Sequence, residues 1–191
     1  DKGHRLYSEN DVQRVEKILE LVSRGVPLSK VKQLIDTDNS AQDWESSELN
    51  NNWPQLTDNL ITSAKDFSST RIETLLSEVL IQYPTSVCLE RLLKPAFETL
   101  EQNDDHHAAW LFTENEILRY AFARLSAKKP SKEALSIYLT RGEKTPLWQM
   151  AMVALGLADS NCRVHLISQN IHELAWLAMA QKNPEDIYVL Y

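Results

Sequence analysis

Apolar residues in this chain recur every three to four positions over its first two thirds and gather into short runs toward its end, so the pattern changes period once. In SENDVQRVEKILELVSRG, the residues Val12, Val15, Ile18, Leu19 and Val22 share one face, with Ser8 or Asn10 placed to cap the start and Gly25 to stop the end. That spacing predicts an amphipathic helix. VPLSKVKQLID repeats it over a shorter span, with Leu28, Val31, Leu34 and Ile35 as the apolar stripe and Pro27 or Ser29 at its start. From Asp36 to Asn52 the composition turns to Asp, Asn, Ser, Gln and Glu, and only Trp44 and Leu49 are large apolar groups. Such a stretch cannot build its own core and reads as a linker.

Helical spacing returns from Leu56 to about Lys128. Ile72, Leu75, Leu76, Val79, Leu80 and Tyr83 form one stripe, Leu89, Leu92, Leu93, Ala96, Phe97 and Leu100 a second, and Trp110, Leu111, Ile117, Leu118, Ala121, Phe122 and Leu125 a third. A weaker helix around Leu60 and Ile61 completes a predicted four-helix bundle, with Pro84 and Asp104 to His107 at the joins. Beyond Pro130 the order becomes ALSIYL, TPLWQMAMVALGLAD, CRVHLIS, IHELAWLAMAQK and DIYVLY, which reads as β-α-β-α-β. Strands joined through single helices pair in parallel by right-handed crossovers, which predicts part of an open, doubly wound, Rossmann-like sheet that continues past Tyr191. The expected fold is therefore mainly α with an α/β part: residues 1–35, a linker at 36–54, a four-helix bundle at 55–129 and an incomplete Rossmann-like unit at 130–191.

Composition narrows the function classes. With 191 residues, 43% hydrophobic and 25% charged, the chain can bury a real core, and a net charge of -7 argues against coating nucleic acid along its length while leaving room for a local basic patch. Cys88 and Cys162 stand far apart in apolar surroundings, as reduced core residues of a cytoplasmic protein do. No apolar run approaches the roughly 18 residues of a membrane span, so no membrane partner is expected. His106 and His107 beside Asp104 and Asp105 are read as a solvated interhelical turn ahead of a metal site, because neighbouring turn residues point different ways. His165 in a strand and His172 at a helix start are read as structural. Four glycines form no phosphate-cradling loop and no nucleophile, base and acid arrangement emerges, so neither an enzyme nor a metal site is expected. Trp110, Trp148 and Trp176 are core candidates first and pocket walls second.

One stretch carries more than periodicity. GHRLYSENDVQRVEKILELVSRGVPLSKVKQLI resembles the second half of a MerR-type winged helix-turn-helix, from its β-wing through the two supporting helices. The resemblance places Gly3, His4, Arg5, Leu6 and Tyr7 on the wing, which implies double-stranded DNA as partner, a homodimer, and His4, Arg5 and Tyr7 at the phosphate backbone. Gly3 would permit the tight turn, Arg5 would bond phosphate and Tyr7 would pack at the wing base, contacts that position a protein without reading sequence. His4 stands where the family more often has tyrosine, and the recognition helix is expected before Asp1.

The remainder resembles the cobalamin-dependent branch of that family, in which a helical bundle and a Rossmann-like cobalamin domain follow the winged domain. PAFETLEQND and TEN parallel the bundle motif, keeping Pro95, Phe97 and Glu114, but Glu101 stands for its glycine, Asp104 for its tryptophan and Asn115 for its histidine. GEKTPLW parallels the cobalt-binding motif, keeping Glu143, with Thr145 in place of the ligand histidine and Trp148 in place of glycine. SQN, Ser168 to Asn170, replaces the small residues that receive the nucleotide tail. A hydroxyl is a poor neutral cobalt ligand beside imidazole, and an indole crowds the space of a corrin, so the resemblance implies no cofactor, cobalamin included. The pattern is similar to the MlrA-like branch, known for control of curli and biofilm-matrix genes. A crevice bounded by Glu114, Asn115, Glu143, Thr145, Trp148, Ser168 and Asn170 then remains for a different small-molecule effector or a protein. Two alternatives stay open: a cobalamin or other small-ligand sensor that controls oligomeric state, and a protein-binding module that antagonises another regulator.

Overall fold

The computed structural model describes residues 7–36, 52–169 and 171–191. Helix α1, Glu9–Ser23, begins where Ser8 can cap it: the Asp11 amide donates to Ser8 Oγ at 3.3 Å and the Ser8 amide donates to Asp11 Oδ2 at 2.8 Å. This reciprocal pair satisfies two amides that the first turn would otherwise leave without partners, and the hydrogen bonds from Ser8 hold the Asp11 carboxyl below the usual carboxylate range. Gly25 ends the helix with φ +88°, and the Val26 amide turns back to the Leu21 carbonyl at 3.1 Å. The positive φ favours glycine there; a Cβ would also lie 3.2 Å from Arg91 Cζ, at the flexible end of a side chain that would have to shift.

With α2, Leu28–Asp36, this segment forms a small core of Leu21, Val22, Val26 and Val31, backed by Ile18, Leu34 and Ile35. The predicted stripe is buried only at its end. Val12, Val15 and Leu19 are 50%, 52% and 62% exposed, because α2 packs against the last turns of α1 and no described residue covers the earlier ones.

Helices α3, Asn52–Lys65, and α4, Ser69–Gln82, follow; α3 starts early enough to bury Trp53, whose ring lies 4.6 Å from that of Tyr83. The Leu89 to Leu100 stripe, expected as one regular helix, is α5, Thr85–Cys88, a π-helical turn, Leu89–Leu93, and α6, Lys94–Glu101. Pro95 has no amide to return to the Arg91 carbonyl, and the wider turn accommodates that gap, with the Lys94 amide reaching the Leu89 carbonyl. A short 3-10 turn, Asp104–His106, leads into the long α7, His107–Ala127. Glu116 is the buried charge of this region; its carboxylate meets Arg119 at 2.8 Å, and the same guanidinium reaches Glu73 of α4 at 2.9 Å.

The last third is a three-stranded parallel sheet, β1, Ser136–Thr140, β2, Arg163–Ile167, and β3, Ile187–Leu190, in the order β2-β1-β3. Ile137, Tyr138, Leu139 and Thr140 pair in register with Val164 to Ile167 on one side and Ile187 to Leu190 on the other. Period two then sorts the faces. Leu139, Val164, Leu166 and Val189 pack on α8, Leu147–Asp159, while Tyr138, stacked on His165 and on Tyr188, faces the side where Trp176 of α9, Glu173–Lys182, meets Tyr188 edge-on.

α8 explains why helices and sheet are not separable cores. Its Met150 and Ala154 join Leu139 of the sheet, whereas Trp148, Ala151, Met152 and Leu155 belong to the same buried cluster as Leu60, Ile72, Leu92 and Ile117. A helix apolar on every side is one covered on every side. Its end is fixed by Asp159, which pairs with Lys128 at 2.5 Å and accepts from Thr85 Oγ1 at 3.1 Å.

Candidate functional site: the strand ends and the aromatic corner

In a parallel sheet the loops that leave the carboxyl ends of the strands bound the natural crevice, and with the order β2-β1-β3 the strand order switches sides between β1 and β3. Four hydrogen bonds fasten the loop after β1 at that point. The Gly142 amide and Thr145 Oγ1 both donate to the Tyr191 carbonyl at 2.9 Å, the Tyr191 amide donates to the Thr140 carbonyl at 2.9 Å, and Gln149 Nε2 donates to Tyr191 Oη at 2.9 Å. On the β2 side Arg141 acts as the tie, donating from Nη1 to the Thr145 carbonyl at 2.8 Å and from Nε to the Ser168 carbonyl at 3.3 Å.

The structure therefore gathers Glu143, Thr145 and Ser168 at the strand ends, with Glu143 and Ser168 exposed and Thr145 half-buried. Thr145 is not a free hydroxyl aimed at a ligand, since its proton is committed to the Tyr191 carbonyl. Trp148 does not rim the crevice: it is 3% exposed and stacks flat on Phe97 at 4.1 Å, with Phe97 in turn edge-on to Trp110 at 5.3 Å. As the second residue of α8, Trp148 points its indole into the shared core, where Ala151, Met152 and Leu155 of the same helix also lie. Its Nε1 is buried without a hydrogen-bond partner among the described residues, as is His106 Nδ1.

Glu114 and Asn115 lie on α7, half-buried and exposed respectively. The Asn115 amide donates to Glu116 at 3.5 Å, which draws it toward the Arg119 and Glu73 network of the bundle. Asn170, His4 and Arg5 lie outside the described residues, as does the expected wing up to Leu6; Tyr7 is described and is 70% exposed immediately before the Ser8 cap. This corner is occupied by a threonine whose hydroxyl is committed to a backbone carbonyl and by an indole packed on Phe97.

The two histidines read as structural have such roles, His172 Nδ1 accepting from the Leu174 amide at 3.3 Å as the cap of α9 and His165 stacking on Tyr138 at 4.5 Å. Arg141 went unmarked by spacing; a basic residue directly after a strand, where carbonyls of two loops converge, is the signal that would have found it. The cleft beside Trp110, lined by Glu101 and Asp104, was also missed, because the residues that make it come from two helices and the turn between them. Among the described residues no three His, Cys, Asp or Glu side chains converge on a metal position, and no helix is long and apolar enough to cross a membrane.

Comparison with known proteins adds to this geometry. Residues 1–38 match the family described as MerR HTH family regulatory protein. Over 177 residues, 91% of this chain and 69% of the relative, the sequence is 24% identical to the HTH-type transcriptional regulator MlrA of Escherichia coli (strain K12). Over 176 residues, 91% of this chain and 68% of the relative, it is 27% identical to the HTH-type transcriptional regulator MlrA of Salmonella typhimurium (strain SL1344).

Proposed function

A MerR-family helix-turn-helix segment stands at the N-terminus of this chain, which is homologous to MlrA transcriptional regulators over most of its length, and from that premise we propose that it is part of a cytoplasmic, DNA-binding transcriptional regulator. The observation that carries the reading is the match of residues 1–38, together with the separate small core that α1 and α2 form there. In this reading the residues before Ser8 are the wing, Arg5 bonds a phosphate, and His4 and Tyr7 support that contact. Two copies act together, as paired half-sites on DNA require. The helices and sheet after residue 51 are the sensing or protein-interaction region.

That region works without cobalamin. The reading is supported by Thr145, whose hydroxyl is committed to a backbone carbonyl, and by Trp148, whose ring is stacked into the core where a flat macrocycle would need room. The target genes in this reading are of the biofilm-matrix type.

The wing supplies the test. In the natural full-length protein Arg5→Ala should weaken binding to all duplex sequences alike and reduce the slope of log affinity against log salt by about 0.9, one phosphate contact. Mobility shifts across a salt series read both quantities. No binding to any duplex by the unaltered protein, or a loss confined to one sequence, contradicts the proposal.

A further inference from the structure

Where α6 ends and α7 begins, the chain makes a cleft of about 570 Å³ lined by Leu100, Glu101, Asn103, Asp104, His107 and Trp110. Its volume falls in the range of small-molecule sites. Its charge is out of balance in a specific way. Glu101 is the last residue of α6, where unpaired carbonyls already carry partial negative charge, and no basic side chain stands in that helix's last turn. An acid there is placed against its own helix. Asp104 would ordinarily be explained as a cap for the turn that follows, but Asn103 fills that role, its Oδ1 accepting from the Asp105 amide at 3.0 Å. Neither Glu101 nor Asp104 forms an ion pair among the described residues. Trp110, a half-buried indole held edge-on to Phe97 at 5.3 Å, lines the same cleft.

We propose that this cleft binds an organic ammonium ion, its charge beside Glu101 and Asp104 and its alkyl groups against Trp110. Two carboxylates without an ion-pair partner among the described residues attract the charge, and an aromatic wall favours a cation that carries carbon over a small, strongly hydrated metal ion. Asn103 and His107 close the sides. The ligand class follows from this cleft alone and does not depend on DNA binding.

The test uses the 191-residue chain with nitrogen-15 in its indole groups, the Trp110 resonance being assigned by Trp110→Phe. Tetramethylammonium chloride is titrated at constant ionic strength against sodium chloride, and tert-butyl alcohol serves as a neutral probe of similar shape. A saturable shift of the Trp110 signal with tetramethylammonium is expected, absent with sodium and with the alcohol. Glu101→Gln combined with Asp104→Asn, both at exposed positions, should keep the fold and weaken binding about tenfold. No saturable shift, an equal shift with the alcohol, or an unchanged affinity in the double variant would overturn the proposal. Because no DNA is present, such a failure leaves the regulator reading untouched, and a failure in the mobility shift leaves this one standing.

Discussion

Replacing Trp148 tests whether the aromatic corner is packed core or vacant site. The side chain is 3% exposed, stacked on Phe97 at 4.1 Å, and its Nε1 has no partner among the described residues. A buried indole removes ~150–250 Å² from water, worth ~4–6 kcal/mol at ~25 cal/mol per Å², and a ring pair adds ~0.5–1.5 kcal/mol. Against this stands the unpaired N–H, whose desolvation costs ~1–3 kcal/mol and is recovered when the ring is removed. Trp148→Ala should therefore destabilise by ~3–5 kcal/mol. Trp148→Phe keeps a ring to stack on Phe97 and sheds the unpaired donor, so its cost should stay near ~1 kcal/mol. Equilibrium urea unfolding followed by far-ultraviolet circular dichroism gives both values, provided the slopes with denaturant agree. The reasoning is refuted if alanine costs under ~1 kcal/mol, which would mean an indole standing in open space. Equal costs for phenylalanine and alanine would refute it as well, since the N–H would then be making an essential bond.

Cys88 supplies a pH-dependent prediction. Burial pushes its thiol up from 9.0 to about 12. The unfolded chain releases this proton at the lower value and the folded chain holds it to the higher, so the thiol's contribution is complete below pH 9 and declines as pH rises toward 12. The decline should approach ~1.4 kcal/mol per pH unit within that window, and Cys88→Ala should unfold with a correspondingly shallower pH dependence. Parallel slopes for the two proteins between pH 9 and 10 in urea unfolding would contradict the assignment.

Period and cap residues were enough to place most elements. The strands fall at ALSIYL, CRVHLIS and DIYVLY, with β1 running one residue further to Thr140, and the sheet is parallel as single-helix connections demand. The mainly helical fold with a small parallel sheet and the MerR-type beginning were both legible. What escaped were features made by packing across elements. The exposure of Val12, Val15 and Leu19 depends on how far α2 extends along α1, which no stripe on α1 encodes. The π-helical turn before Pro95 leaves the apolar sequence pattern almost unchanged, because one added residue per turn still keeps Leu89, Leu92 and Leu93 buried. The resemblance sets Trp148 at the crevice because it stands at the glycine position of the motif that GEKTPLW parallels. The start of α8 turns it inward to Phe97, a residue about fifty positions earlier and invisible to local spacing.

The proposal on which the account depends is that a sequence resembling the cobalamin-dependent branch has lost that ligand, with Thr145 and Trp148 standing where its motif has histidine and glycine. Adding adenosylcobalamin to the protein in the dark, removing free corrinoid by gel filtration and recording the visible spectrum of the protein peak tests this most directly. A colourless peak is the expected result; corrin absorbance that travels with the protein would contradict it.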